Sequence, residues 1–241
     1  MKALLSIIFV ATLYVNSYGQ GIFHYYTGLI LPDKDAPLRT DRLGLDLYYG
    51  SWLDMPEGIK YSPFSVGVNV FRIYDIPFGH SPIGIGIGYG LSSHNIHHNG
   101  SFVHFTDSMS GKEMVDLVPN PENYKPRKNK LSINYFEVPF ELRFRSKRKP
   151  NKNGEMKGPF RFYPGFKIGY LVNIHTSRKD AAGKYKEYNF ANLEKFRYGA
   201  TLRVGFGKMS IFGFYALNSL FKEDNPVGLQ SFSIGVSFLT F

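Results

Sequence analysis

The chain has 241 residues, including 22 Phe, 17 Tyr and 25 Gly, and its formal net charge is +10. Because it contains no cysteine, disulfide frameworks, thiolate metal sites and cysteine nucleophiles are all excluded. Aromatic residues and glycine favour strands, the length suits one large all-β domain, and the positive charge suits an anionic partner.

The first 19 residues have the pattern of a secretory signal peptide. Lys2 supplies the positive charge that precedes an apolar core at residues 3–15. Small residues at positions 17 and 19 predict cleavage before Gln20. We therefore predict an exported protein in three parts: residues 1–19 are the signal peptide, 20–40 a periplasmic lead-in and 41–241 a single β-barrel domain.

Eight segments with strand periodicity follow along the chain. In each, apolar residues alternate with glycine or polar residues, which is typical of a strand with two unlike faces. The clearest is PIGIGIGYGLS, in which Ile83, Ile85 and Ile87 alternate with glycines. The connections between the predicted strands are residues 53–62, 75–81, 93–130, 146–158, 175–192, 207–209 and 222–228.

Eight strands with one apolar face each predict a closed barrel, because closure removes every open strand edge. A soluble lipocalin-like barrel would point the apolar face inward, whereas a membrane barrel points it towards lipid. The opposite face is rich in glycine, which makes a poor solvent surface but leaves room inside a narrow barrel. We predict an eight-stranded antiparallel up-and-down transmembrane β-barrel. If residues 20–40 and 101–107 both pair, the barrel has ten strands.

Charged residues on the non-apolar face would then lie in the lumen. Their signs are mixed, so they can pair there, whereas buried charges of one sign would be prohibitively unfavourable. A lumen filled in this way is not a general diffusion pore. The predicted lumen network comprises Asp46, Glu137, Glu141, Arg143, Arg161, Lys167, Arg197 and Arg203.

The two longest predicted connections, 93–130 and 175–192, belong to the set that faces the cell exterior in bacterial barrels. Both are basic, and their charges could meet the phosphates of lipopolysaccharide or remain solvated. The basic residues are Lys125, Arg127, Lys128, Lys130, Arg178, Lys179, Lys184 and Lys186. The 146–158 connection is longer than a usual periplasmic turn.

The segment SSHNIHHNG is the best candidate for chemistry. His94, His97 and His98 are close enough in sequence to suggest a metal site, but we favour a polar, partly solvated loop entrance, because no carboxylate follows at a recognised ligand spacing. A serine–histidine pair from Ser92, Ser93 and His94 at the rim would suggest a lipid-modifying enzyme. Neighbouring strand residues point to opposite faces, which separates Ser93 from His94. We expect no metal, no cofactor and no enzymatic activity.

The segments YFEVPFELRFRSK (135–147), FYPGFKIGYLVN (162–173) and RYGATLRVGFGKMSIFGFYALNSLFK (197–222) resemble the PorT-like outer-membrane β-barrel proteins of Bacteroidota. The most recognisable strand contains Tyr135, Glu137, Val138, Pro139 and Phe140. The resemblance, over roughly residues 40 to 241, implies an eight-stranded outer-membrane barrel. It assigns no activity, although the member that names the family takes part in type IX secretion.

The sequence thus predicts a monomeric outer-membrane protein with a structural or interaction role. Expected partners are outer-membrane lipid, lipopolysaccharide and a secretion component. The terminal Phe241 resembles the signal that the outer-membrane assembly machinery reads. The alternatives are a lipid-modifying rim enzyme and a soluble periplasmic ligand-binding barrel. Nucleic acid is not an expected partner of an exported chain.

Overall fold

The computed structural model describes residues 43–62, 64–78, 81–124, 126–146, 159–181 and 183–240. The predicted signal peptide, the lead-in 20–40 and most of the 146–158 connection lie outside these ranges, as does Phe241. The described residues form eleven strands and no helix. Accordingly, these ranges contain no helix that is long and apolar enough to cross a bilayer.

The strands are β1 (Leu43–Leu53), β2 (Val66–Pro77), β3 (Ile83–His97), β4 (Gly100–Thr106), β5 (Glu113–Pro119), β6 (Lys128–Arg145), β7 (Phe160–Lys179), β8 (Lys184–Glu187), β9 (Phe196–Phe206), β10 (Met209–Ser219) and β11 (Gln230–Thr240). Eight of them form one antiparallel sheet in the order β6-β3-β2-β1-β11-β10-β9-β7. The sheet closes because β6 also pairs with β7. The predicted eight-stranded up-and-down barrel is therefore confirmed.

The ten-stranded alternative required residues 101–107 to join the barrel. They lie instead largely in β4, which pairs with β5 in a separate two-stranded sheet. This hairpin occupies the middle of the predicted 93–130 loop, and β3 and β6 extend further into that loop than predicted. The predicted loop 175–192 is also shorter, because β7 continues to Lys179 and pairs with β8.

The apolar faces of the strands point outward. On β1, Leu45 and Leu47 are exposed while Asp46, between them, is completely buried. On β3, Ile83, Ile85 and Ile87 lie outside and the glycines that alternate with them lie inside. Because the interior is polar and glycine-rich while the exterior is apolar, the soluble ligand-binding barrel is wrong.

Several inward glycines leave room for large side chains in the lumen. A Cβ atom at Gly44 would lie 2.0 Å from the ring of Phe71, and one at Gly67 would lie 2.2 Å from the ring of Tyr48. At Gly86, a Cβ atom would lie 2.5 Å from Nε of Arg143. Glycine is therefore required by packing, since an eight-stranded barrel is only wide enough for its own side chains.

A large apolar cluster closes the end of the barrel that carries the long connections, here called the outer end. It combines inward residues from the outer ends of the strands with residues from the connections, including the β4–β5 hairpin. We call this cluster the cap core; its buried members are Trp52, Ile59, Ile96, Val115, Leu117, Leu131, Ile133, Tyr135, Ile174, Phe190, Leu220, Phe221, Val227 and Leu229.

Candidate functional site

The lumen below the cap core holds the predicted charged residues. All eight are buried and lie on inward-facing positions of their strands: Asp46, Glu137, Glu141, Arg143, Arg161, Lys167, Arg197 and Arg203. Alternation along each strand brings them to the same side, and barrel closure then brings strands distant in sequence together.

Glu137 is the centre of one group of ion pairs. Its two carboxylate oxygens accept hydrogen bonds from Lys167, at 2.9 Å, and from Arg197. The Arg197 guanidinium also lies 3.8 Å from the centre of the Tyr135 ring, and the Lys167 ammonium lies 4.2 Å from the centre of the Phe214 ring. Both cations are thus held between a carboxylate and an aromatic face.

A second group lies towards the opposite, inner end of the barrel. Glu141 accepts hydrogen bonds from Arg143, at 2.9 Å, and from Arg203. Arg203 also donates to Asp46 at 2.8 Å, and Arg143 forms an ion pair with Asp75 at 3.3 Å. These bridges link four strands, β1, β2, β6 and β9, because Arg143 and Arg203 each contact two carboxylates from different strands.

Sequence reasoning missed several lumen residues. Asp75 falls on the inward face of β2 and contacts Arg143 and Arg145, and Asn69 donates a hydrogen bond to Asp46 at 2.9 Å. Inward aromatic residues, including Phe71 and Tyr163, pack against the guanidinium groups. Asp75 could have been predicted from alternation along β2, because odd-numbered residues of this strand, such as Asn69, face inward. Tyr163 shares the alternation of Arg161 and Lys167 on the inward face, whereas Phe71 gave no such signal, because apolar side chains were assigned to the lipid face.

His98 lies in the cap rather than in the lumen. Its ring packs edge-on against Phe102, with 5.5 Å between ring centres, and Trp52 lies on its other side at 5.9 Å. Burial is the main cause that lowers the pKa of His98 to about 4, and the nearby His97 also lowers it. The imidazole is therefore neutral at pH 7 and its Nδ1 accepts a hydrogen bond from the Gly100 amide.

The remaining histidine candidates do not converge. His94 faces the lumen beside Tyr48, whereas His97 pairs with Lys130 on the outward face. Four residues of strand separate His94 from His98, a span of about 13 Å. Within the described ranges, no three metal-ligating side chains come together. Ser93 and His94 point to opposite faces, in keeping with strand alternation.

The predicted basic residues divide between two faces. Lys130 of β6 is the cross-strand partner of Ser177 on β7, and Ser177 is in turn the partner of Lys186 on β8. Two residues further out, Lys128, Lys179 and Lys184 are paired across the same three strands. Directly paired residues share a face, so five lysines lie on the outward face of β6, β7 and β8. We call them the lysine ladder.

The other basic residues lie elsewhere. Arg178 occupies the opposite face of β7, where it lies over the rings of Tyr124 and Tyr185 at 5.6 and 5.9 Å. Arg127 is exposed just before β6, and Lys125 lies outside the described residues. Like-charged side chains at neighbouring positions repel one another, and the lysine ladder concentrates positive charge on this face.

Comparison with protein families decides the identity of the barrel. The outer membrane protein beta-barrel domain family matches residues 42–222, three quarters of the chain and seven of the eight barrel strands. The chain belongs to this family. No curated protein matches it significantly. The eighth strand of this outer-membrane barrel, β11, lies beyond the matched range and closes it by pairing with β1 from Leu43↔Thr240 to Leu53↔Gln230.

Family membership and the outward apolar face both indicate an outer-membrane location. The exterior of the barrel is covered by aliphatic and aromatic side chains, such as Val66 at 59% exposure, which would be unfavourable in water. The protein therefore resides in the outer membrane.

Proposed function

We propose that this outer-membrane barrel is a sealed, monomeric interaction module without transport or enzymatic activity. The observation that supports the proposal is the burial of charged and aromatic side chains along the lumen and of the cap core at the outer end. Ion pairs and aromatic rings occupy the lumen, and the cap core occupies the outer end. A protein built in this way can act only through its surfaces, which are the lipid-facing wall and the outer cap.

Lipopolysaccharide is the partner that the lysine ladder favours. Lys130 lies six residues beyond Phe136, the last apolar outward residue of β6, which corresponds to about 15 Å above the apolar belt for a strand tilted by about 40°. Phosphates and acidic sugars of lipopolysaccharide stand at this height. The Lys130 ammonium donates a hydrogen bond to Oδ1 of Asn95 at 2.6 Å, and the other four lysines of the ladder are exposed.

We expect Lys130→Gln, Lys179→Gln and Lys186→Gln together to weaken binding of purified lipopolysaccharide on the order of 100-fold, because each lysine near an anionic surface contributes about 1 kcal/mol. Binding would be measured by titrating nanodisc-embedded protein at two salt concentrations. The matched control replaces three lysines outside the ladder with glutamine: Lys60, Lys112 and Lys208.

The proposal predicts that the control binds as the unchanged protein does and that dephosphorylated lipopolysaccharide binds weakly to all three proteins. Equal affinity of the two triple variants for intact lipopolysaccharide would contradict it.

A role beside type IX secretion is the second candidate, and it rests on the PorT-like resemblance. The β4–β5 hairpin offers a surface to which a protein partner could bind, because the apolar side chains of Val103, Phe105 and Met109 are exposed there. Deleting the gene in the native host and measuring secreted cargo tests this role. Unchanged secretion would exclude it while leaving the sealed barrel and the lysine ladder untouched. We also propose that the outer-membrane assembly machinery inserts this barrel into the membrane.

A further inference from the structure

The barrel wall has a gap at its outer end, between β7 and β9. These strands pair from Phe160↔Phe206 up to Tyr170↔Phe196. Further out, β7 pairs with β8 instead, from Thr176↔Glu187 onwards. Among the described strands, β7 residues 173–175 pair with β6 alone.

A bulge lies on β7 beside this gap. The register between β6 and β7 shifts next to Asn134 and Tyr135, which leaves Val172 as the extra residue on β7. On the other side of the gap, the Leu171 amide of β7 still donates a hydrogen bond to the Lys195 carbonyl at 2.8 Å. Residues 192–194 are bonded instead to residues 220–222, through hydrogen bonds from the Glu194 amide to the Leu220 carbonyl and from the Lys222 amide to the Asn192 carbonyl. A cavity of about 460 Å³ lies between these elements.

The cavity is amphipathic along its length. Its inner wall consists of Leu171, Ile174, Phe190 and Leu193, which belong to the cap core or pack against it. Tyr170 and Val172 line the side of the cavity that is nearer the middle of the barrel, and both are exposed on the lipid-facing surface. Lys195 and Lys222, both exposed, line the cavity as its two cationic side chains.

This arrangement matches an anionic membrane lipid more closely than a soluble ligand. An apolar wall that opens beside the belt admits an acyl chain directly from the bilayer, and the volume is within the usual range for small-molecule sites. The two lysines can then meet the phosphate of the same molecule.

We propose that this cavity binds one acyl chain of an anionic outer-leaflet lipid, with the lipid phosphate held by Lys195 and Lys222. The site is separate from the lysine ladder, which lies on β6, β7 and β8. It rests on the outer-membrane location of the barrel and does not require the secretion role.

Photocrosslinking in nanodiscs tests the site. The probes are phosphatidylglycerol and phosphatidylcholine analogues that carry a diazirine in one acyl chain, each present at a few per cent in a phosphatidylcholine bilayer. We expect the phosphatidylglycerol probe to label peptides 170–174 and 188–195 several-fold more than other lipid-facing peptides. The phosphatidylcholine probe should label the same peptides several-fold less.

Two variants separate specific occupancy from general lipid contact. Asn173→Trp fills the cavity and should remove the enhanced labelling, whereas Asn134→Trp, its direct cross-strand partner outside the cavity, should not. Lys195→Gln with Lys222→Gln should abolish the preference for the anionic probe, while Lys60→Gln should leave it unchanged. A heat-shift gel verifies that each variant is a closed barrel.

Even labelling around the barrel, or an equal effect of the two tryptophan variants, would overturn the proposal. Equal labelling by the two probes would overturn the assignment of an anionic headgroup. Neither result bears on the sealed lumen, which is tested by conductance.

Discussion

Replacing Glu137 with alanine is expected to lower the free energy of unfolding by about 3–5 kcal/mol. Glu137 is the carboxylate that Lys167 and Arg197 share in the middle of the lumen. Its removal leaves two buried cations without this partner, and a charge that is buried without compensation is far more costly than the pair is favourable.

Urea unfolding in detergent, followed by the fluorescence of Trp52, measures this effect, because Trp52 is the one tryptophan of the chain and is almost fully buried. The matched control is Asp224→Ala, which breaks the exposed Lys112–Asp224 pair of 2.7 Å. Exposed pairs contribute little to stability, so the control midpoint should not move.

Adding Lys167→Met to Glu137→Ala should recover part of the lost stability, because one stranded charge is then gone. Equal midpoints for the Glu137 and Asp224 variants would contradict the ion-pair network.

Leu117→Ala is expected to destabilise the cap by about 2–5 kcal/mol, the usual cost of removing a buried leucine side chain from a packed core. Leu117 lies on β5, is almost fully buried, and belongs to the cap core. The barrel wall does not depend on it, since β4 and β5 form their own sheet. The loss should therefore affect the hairpin and the outer connections while the eight-stranded barrel stays closed.

Limited proteolysis of the membrane-embedded protein checks this result. Cleavage within residues 99–127 should accelerate by more than 10-fold, with the heat-shift behaviour of the barrel unchanged. Met109→Ala is the control on the same hairpin, because the Met109 side chain is 99% exposed. Identical cleavage rates for the two variants would show that the hairpin is not anchored through the cap core.

The barrel could be predicted from sequence because its signal is local. Alternation such as Ile85-Gly86-Ile87 defines both the strand and its two faces, and glycine opposite isoleucine also indicates which face points inward. Closure then follows from the number of strands and the absence of any other cover for their apolar faces. The charged lumen positions follow from the same alternation, as Glu137 and Glu141 share the inward face of β6.

The cap could not be predicted in this way. Its core joins residues such as Trp52, Leu117 and Phe190 from three separate parts of the chain, and no periodicity connects them. The segment 93–130 mixes polar and apolar residues, so composition alone suggested a solvated loop. Likewise, the division between Arg178 and the lysine ladder depends on the exact register of β7 and β8, which composition does not determine.

A single bulged residue lies on β7 beside the gap. The bulge at Val172 shifts the outward positions of β7 by one, so Asn173 and His175 continue the face that Tyr170 begins. Strand alternation read along the sequence carries no mark of this shift. Only the pairing with β6 and the return path of residues 188–195 reveal it.

Single-channel recording in a planar bilayer tests the sealed lumen most directly. The protein would be reconstituted with verified insertion, by heat shift and by protease protection of the barrel, and recorded at several voltages in 1 M salt. We expect no stepwise current above the bare bilayer, because charged and aromatic side chains are buried along the lumen and the cap core lies at the outer end. Reproducible conductance steps from correctly inserted protein would show a continuous water path and would contradict the sealed barrel.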